Sequence, residues 1–256
     1  MVNGLKMAFI IISIIFSILI PVFAVAYSYK RFKISFKALF TGALIFIVFA
    51  LILESTLHSF IFKYTAIIHH PYAYAFYGAC AAAIFEEFGR LIGFKTILKK
   101  YRNWKDGLSY GLGHGGTEAI IIGGISNINN LIYSFMINSG SLEPLKAKLP
   151  FGTVDQIKNA IINTPSYMFL ISGFERLFAF TLQIALSILV LYSVKSGRYK
   201  YFIYALLLHF ITDIFAALYQ AKVLKSIFVV EIIVFVIAVF SFVFIVKLKK
   251  IVEKIS

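Results

Sequence analysis

The stretch FEEFGRLIGF (residues 85–94) sits inside a longer apolar run, and its reading decides what kind of fold the chain has. On a soluble helix, Glu86, Glu87 and Arg90 would be ordinary surface charges. Inside a bilayer each would cost about 2.5–3.5 kcal/mol on insertion scales. Three such residues within one helical turn and a half would then need partners, a polar cavity or a chemical task.

Composition decides for the bilayer. Of the 256 residues 61% are hydrophobic, and the mean hydropathy is +0.90. A soluble domain of this length could not bury that much apolar surface, whereas a polytopic membrane protein faces lipid with it. The formal charge of +14 suggests nucleic acid until the charges are placed. They fall between the apolar runs, at KRFK (30–33), KKYRNWK (99–105), KSGRYK (195–200) and KLKK (247–250). That is membrane anchoring, not a nucleic-acid face. The single Cys80 excludes an internal disulfide framework and any CxxC metal site. The first apolar run, 7–27, lacks a basic start and a small-residue cleavage site, so it reads as a retained helix.

Working outward, the pattern predicts an all-α polytopic membrane protein with about seven transmembrane helices, near 5–29, 36–62, 72–98, 105–127, 165–194, 200–221 and 225–247. All of residues 1–256 read as one integral membrane domain. Sixteen of the 25 Lys and Arg fall on one side of these spans and seven on the other, with Arg90 and Arg176 inside spans. The bias predicts an external N-terminus, a cytoplasmic C-terminus and a location in the cell membrane. The longest connection, about 128–164, is then external. It holds SNINN, SGSLEP and a short amphipathic piece VDQIKNAI (154–161), the pattern of a lid or a plain surface loop.

The ionisable residues at membrane depth carry the functional signal. His114 and Glu118, His209 and Asp213, Glu54 and His58, and Glu86 and Arg90 are each four apart, so each pair shares a helix face. Such stripes must turn inward. At about 1.5 Å rise per residue, Glu86, His114 and His209 come within a turn or two of the midplane. Gly107, Gly111 and Gly115 in the fourth span, and Gly89 and Gly93 in the third, have the spacing of close helix packing, and would let those two spans bring Glu86 and His114 together.

A glutamate, two histidines and an aspartate in a buried pocket suit the activation of water, with the carboxylate as general base and histidine sharing that work or donating to an oxyanion. Glu86, His114 and His209 could also hold zinc, since His and carboxylate are ordinary zinc ligands, although no HExxH is present. Glu175 and Arg176 are adjacent and diverge by about 100° on a helix, which suits ion pairing with other helices. Two other classes use the same residues. Midplane carboxylates and histidines make proton relays in transporters, and polar pairs can merely specify packing in a scaffold or immunity protein.

Glu86-Glu87-Phe88-Gly89-Arg90 resembles the EExxR motif of the CAAX prenyl endopeptidase and bacteriocin-processing membrane proteases, and HFITDIF (209–215) resembles their later HxxxN or HxxxD element. EEFGR together with GLGHGGTE (111–118) and the FER of the fifth span is similar to the YhfC family of intramembrane proteases, over nearly the whole chain. The resemblance implies an endopeptidase acting on a peptide or membrane-protein substrate, with lipid as its other partner. Glu86 would be the base and His114 its partner, with Glu87 beside them, while His209 and Asp213 would support the tetrahedral intermediate. Arg90, Glu118, Glu175 and Arg176 would support the site. Two departures stand out: GHGGTE replaces an FxxxH-type element, and Asp213 replaces Asn, which keeps a metal-ligand role open.

Overall fold

A computed structural model describes residues 1–254. Among them the helices are α1 Gly4–Phe32, α2 Phe36–Tyr64, α3 Pro71–Lys95, α4 Trp104–Ser139, α5 Thr153–Asn163, α6 Ser166–Ser196, α7 Lys200–Gln220 and α8 Ile227–Glu253. The chain is all-helical, as the periodicity predicts. Six of these helices, all but α3 and α5, are long and apolar enough to cross a membrane among the described residues. α3 has the length, 25 residues, but carries Glu86, Glu87 and Arg90. Helix starts follow local chemistry: Asn3 and Ser35 accept the backbone N–H groups of Lys6 and Ala38 and so cap α1 and α2. α1, α2 and α4 each contain a π-helical stretch, at Ile15–Leu19, Ile47–Glu54 and Ala119–Ile125, a local widening that often marks functional positions.

The described residues form two compact units. One comprises Met1–Phe23 and Glu118–Leu177; the other comprises Ala24–Thr117 and the chain from Phe178 on.

In the first unit polar side chains tie the helices together. Asn127 donates to Ser13 Oγ at 3.0 Å, and Ser13 and Ser172 share a hydrogen bond of 3.2 Å. Asn138 reaches the start of the chain, accepting from Val2 N at 2.7 Å and donating to Val2 O at 2.9 Å. Buried Lys6 donates to the carbonyls of Ile161 and Ile162 at 2.7 and 2.8 Å. A cation thereby satisfies the last carbonyls of α5 and complements its dipole. These contacts correct the expected loop over 128–164. SNINN does not break the fourth span. α4 runs on to Ser139, with Asn127 bonded to α1 and Asn138 to Val2, and ends where Gly140 adopts a left-handed φ of 76°. The amphipathic piece is helix α5, and between α4 and α5 lies a 3₁₀ turn, Glu143–Ala147. Lys146 pairs with Glu143 and Asp155, each at 2.9 Å, and Lys158 pairs with Glu143 at 2.7 Å.

In the second unit the glycines of α4 do the positioning, though not against the expected partner. A Cβ on Gly107 would meet Leu191 and Ile188, one on Gly111 would lie 2.6 Å from Ile184 Cα, and one on Gly115 would lie 2.8 Å from Gln183 Cβ, all on α6. Gly113 is pressed against the Leu39 backbone, and Gly42 of α2 against that of Tyr110. So α4 threads between α2 and α6, and its own glycines serve those two contacts, while the approach to α3 rests on Gly93 of α3. α3 meets α4 at Gly93, where a Cβ would lie 3.1 Å from the Tyr110 ring, and it lies along α7 through Phe88–Phe202 and Phe76–Phe210. Trp104 fixes the opposite end of α4, donating its indole N–H to Ile245 O at 3.1 Å.

Candidate active site

α3, α4, α6 and α7 of the second unit bring a polar cluster into this apolar packing. Glu86, Glu87, Arg90, His114 and His209 are all buried, with Arg90 and His114 wholly inaccessible. A buried charge needs a partner, and here the partners interlock.

Glu86 is held through one oxygen. His114 Nε2 lies 2.8 Å from Glu86 Oε2, Gln183 Nε2 donates to it at 2.9 Å, and an Arg90 terminal nitrogen donates at 3.2 Å. His209 Nε2 stands 3.9 Å from the same atom. All three hydrogen bonds to Glu86 thus land on Oε2, which leaves Oε1 as the oxygen able to meet a reactant.

Glu87 faces α7. Its Oε1 lies 2.7 Å from His209 Nδ1 and 3.2 Å from Arg90 Nε. His209 Nε2 lies 3.3 Å from Asp213 Oδ2, one turn on. A carboxylate on each side of the ring holds His209 in one orientation. Arg90 also donates to the Gln183 carbonyl at 2.9 Å and to Ser187 Oγ at 2.7 Å, and it contacts the Gln183 side-chain oxygen. The guanidinium therefore joins the two glutamates to α6. Aromatic rings wall the cluster: Phe46 packs edge-on against His114, and Tyr110 lies parallel to it, with centroids 5.2 and 6.0 Å away.

Glu118 follows His114 by one turn on α4. Arg176 pairs with Glu118 at 3.2 Å and with its neighbour Glu175 at 2.6 Å. A long flexible arm lets adjacent residues pair despite their divergent directions. Glu54 and His58 of α2 form a separate pair at 3.1 Å, and His58 Nδ1 lies 2.9 Å from Tyr77 OH. Sequence reasoning missed Gln183 and Ser187, which carry no charge and lie in an apolar helix; their four-residue spacing on one face was the available signal.

A metal ion can be tested against the donor atoms. Among the described residues His114 Nδ1 and Glu87 Oε2 are buried without a hydrogen-bond partner, and an unsatisfied imidazole nitrogen with a nearby carboxylate is zinc-type ligand chemistry. Arg90 already supplies positive charge beside Glu86 Oε2, at 3.2 Å, and beside His114 Nε2, at 3.3 Å. Glu86 and His114 each offer a buried ligand atom, the two within 4.8 Å of each other, so the pair fits a zinc-type cation.

The family model described as YhfC intramembrane metalloprotease matches residues 16–234. Among curated proteins the chain is similar to the "Uncharacterized membrane protein YhfC" of Bacillus subtilis (strain 168), 39% identical over 259 residues that cover 98% of this chain and 99% of that relative. No solved structure matches the chain.

Proposed function

The chain belongs to the YhfC family, a multi-pass membrane family described as intramembrane metalloproteases, and on that premise we propose that it is an endopeptidase whose attacking water is activated by Glu86 with His114 inside the membrane. One observation supports this most: Glu86 is anchored through Oε2 by three donors, so Oε1 has a fixed direction and a spare lone pair. A general base needs that combination of reach and orientation.

Glu86 Oε1 takes the proton of the water as it attacks the scissile carbonyl. His114 and Gln183 hold the carboxylate, and Arg90 balances the paired glutamates. His209, held by Glu87 through Nδ1, turns its Nε2–H from Asp213, 3.3 Å away, to the oxyanion that forms on the carbonyl. A zinc-type ion held by His114 and Glu86 would add Lewis-acid polarisation of that carbonyl. The substrate is a peptide segment of a membrane protein that enters from lipid. α3 is the seventh span of the fold, its charges shielded by α4, α6 and α7, with the N-terminus outside and the C-terminus in the cytoplasm.

The test is proteolysis in liposomes. The purified protein is offered a panel of synthetic transmembrane peptides, and the products are mapped by mass spectrometry. Cleavage by the wild type and not by Glu86→Gln supports the reading; no cleavage across the panel, or equal cleavage by both, contradicts it.

A further inference from the structure

Lined by residues of α6, α7 and α8 other than those of the polar cluster, a cavity of about 560 Å³ lies in the second unit. Leu189 of α6, Tyr201, Tyr204 and Leu208 of α7, and Ser241 and Phe244 of α8 line it. The size is that of a small-molecule site. Its walls are hydrocarbon and aromatic ring, with one buried hydroxyl, Ser241, which makes no hydrogen bond among the described residues.

The cavity has a charged end. Arg198 and Lys200 precede Tyr201 by three residues and one, and Lys247 follows Phe244 by three residues, on the same side of α8. Lys200 Nζ lies 5.4 Å from the centre of the Tyr201 ring. None of the three cations forms an ion pair among the described residues. Ser241 lies six residues from Lys247 along α8, a depth of about 9 Å at the helical rise.

We infer that this cavity is a binding site for one anionic phospholipid. The order of chemistry along the wall, three free cations, then a lone hydroxyl, then apolar surface, matches the order phosphate, ester carbonyl and acyl chain along such a lipid. Basic pockets between membrane helices bind acidic headgroups in the same way.

The experiment uses full-length protein in detergent, mixed with phosphatidylglycerol or with phosphatidylcholine of identical chains, and counts retained lipid by native mass spectrometry. One phosphatidylglycerol per chain is expected, retained at least tenfold better than phosphatidylcholine. The triple variant Arg198→Gln, Lys200→Gln, Lys247→Gln, altered only at exposed side chains, should bring both lipids to the same retention. Ser241→Phe should expel both; if that variant fails to fold, the charge variant decides alone. Equal retention of the two lipids by the wild type, or an undiminished preference in the triple variant, overturns the inference.

Discussion

His114 Nε2 lies 2.8 Å from Glu86 Oε2, while the far edge of the same ring, Nδ1, is buried without a hydrogen-bond partner among the described residues. One edge orients the base and the other is left as a ligand atom. Metal analysis of protein purified in the presence of zinc should therefore find about one ion per chain, and His114→Ala should abolish it. Chelation should lower proteolysis and zinc should restore it. Full activity in chelator, with no bound metal, would assign water activation to Glu86 and His114 alone.

Gln183 bridges Glu86 and Arg90 from α6. Gln183→Leu leaves both charged groups short of a buried partner, at a cost of about 1–3 kcal/mol. Thermal unfolding should register that loss, and kcat should fall roughly tenfold as the carboxylate loses its orientation. Gln183→Glu places a third carboxylate against Glu86 and should be worse. Wild-type kcat in the Leu variant would remove Gln183 from the site.

The glycine contacts separate packing from chemistry. Gly111→Leu forces bulk against the Ile184 backbone and should cost about 1–3 kcal/mol or more. Gly78, on the same helix as Glu86, has nothing within 4 Å of its would-be Cβ, so Gly78→Ala should be neutral or stabilising by about 0.5–1 kcal/mol. Denaturation of the two variants in matched detergent checks the contrast.

These glycines also show how far the sequence could be read. Spacing revealed that α4 packs closely with something, but Gly107, Gly111 and Gly115 pack on α6 and Gly113 on α2. A repeat of small residues identifies a face and not its partner. The span limits followed from hydropathy except at SNINN, where asparagine content looked like a loop. Asn127 and Asn138 sit in helix because distant residues, Ser13 of α1 and the Val2 backbone, satisfy their amides, which is tertiary information. The charged members of the cluster stood out against the hydrocarbon and were found. Gln183 did not stand out, since an uncharged amide is only a mild anomaly in an apolar run. Which carboxylate each histidine faces, Glu86 for His114 and Glu87 for His209, was beyond helix spacing alone.

Outside the spans, Glu143 is held down to about 2 from the ordinary 4.5, first by its hydrogen bond to Lys158 and then by that to Lys146. A carboxyl lowered on folding contributes order that is complete above its unfolded value and lost as pH falls through the folded one. The tie between the 3₁₀ turn and α5 should therefore persist at pH 5 and weaken between about 4.5 and 2. Carbon-detected NMR of the Glu143 carboxyl checks this; titration near 4.5 would show that the pairing is absent in solution.

The central claim is that Glu86 activates water for peptide hydrolysis. The most direct measurement is cleavage of a transmembrane peptide in liposomes prepared in ¹⁸O-labelled water, with the wild type and Glu86→Gln compared in a single turnover. The wild type should place one ¹⁸O in each newly formed C-terminal carboxyl, and Glu86→Gln should slow that step by about 10²-fold or more, the usual worth of a positioned acid–base group. Labelled product forming at the wild-type rate in the Glu86→Gln variant would contradict the account.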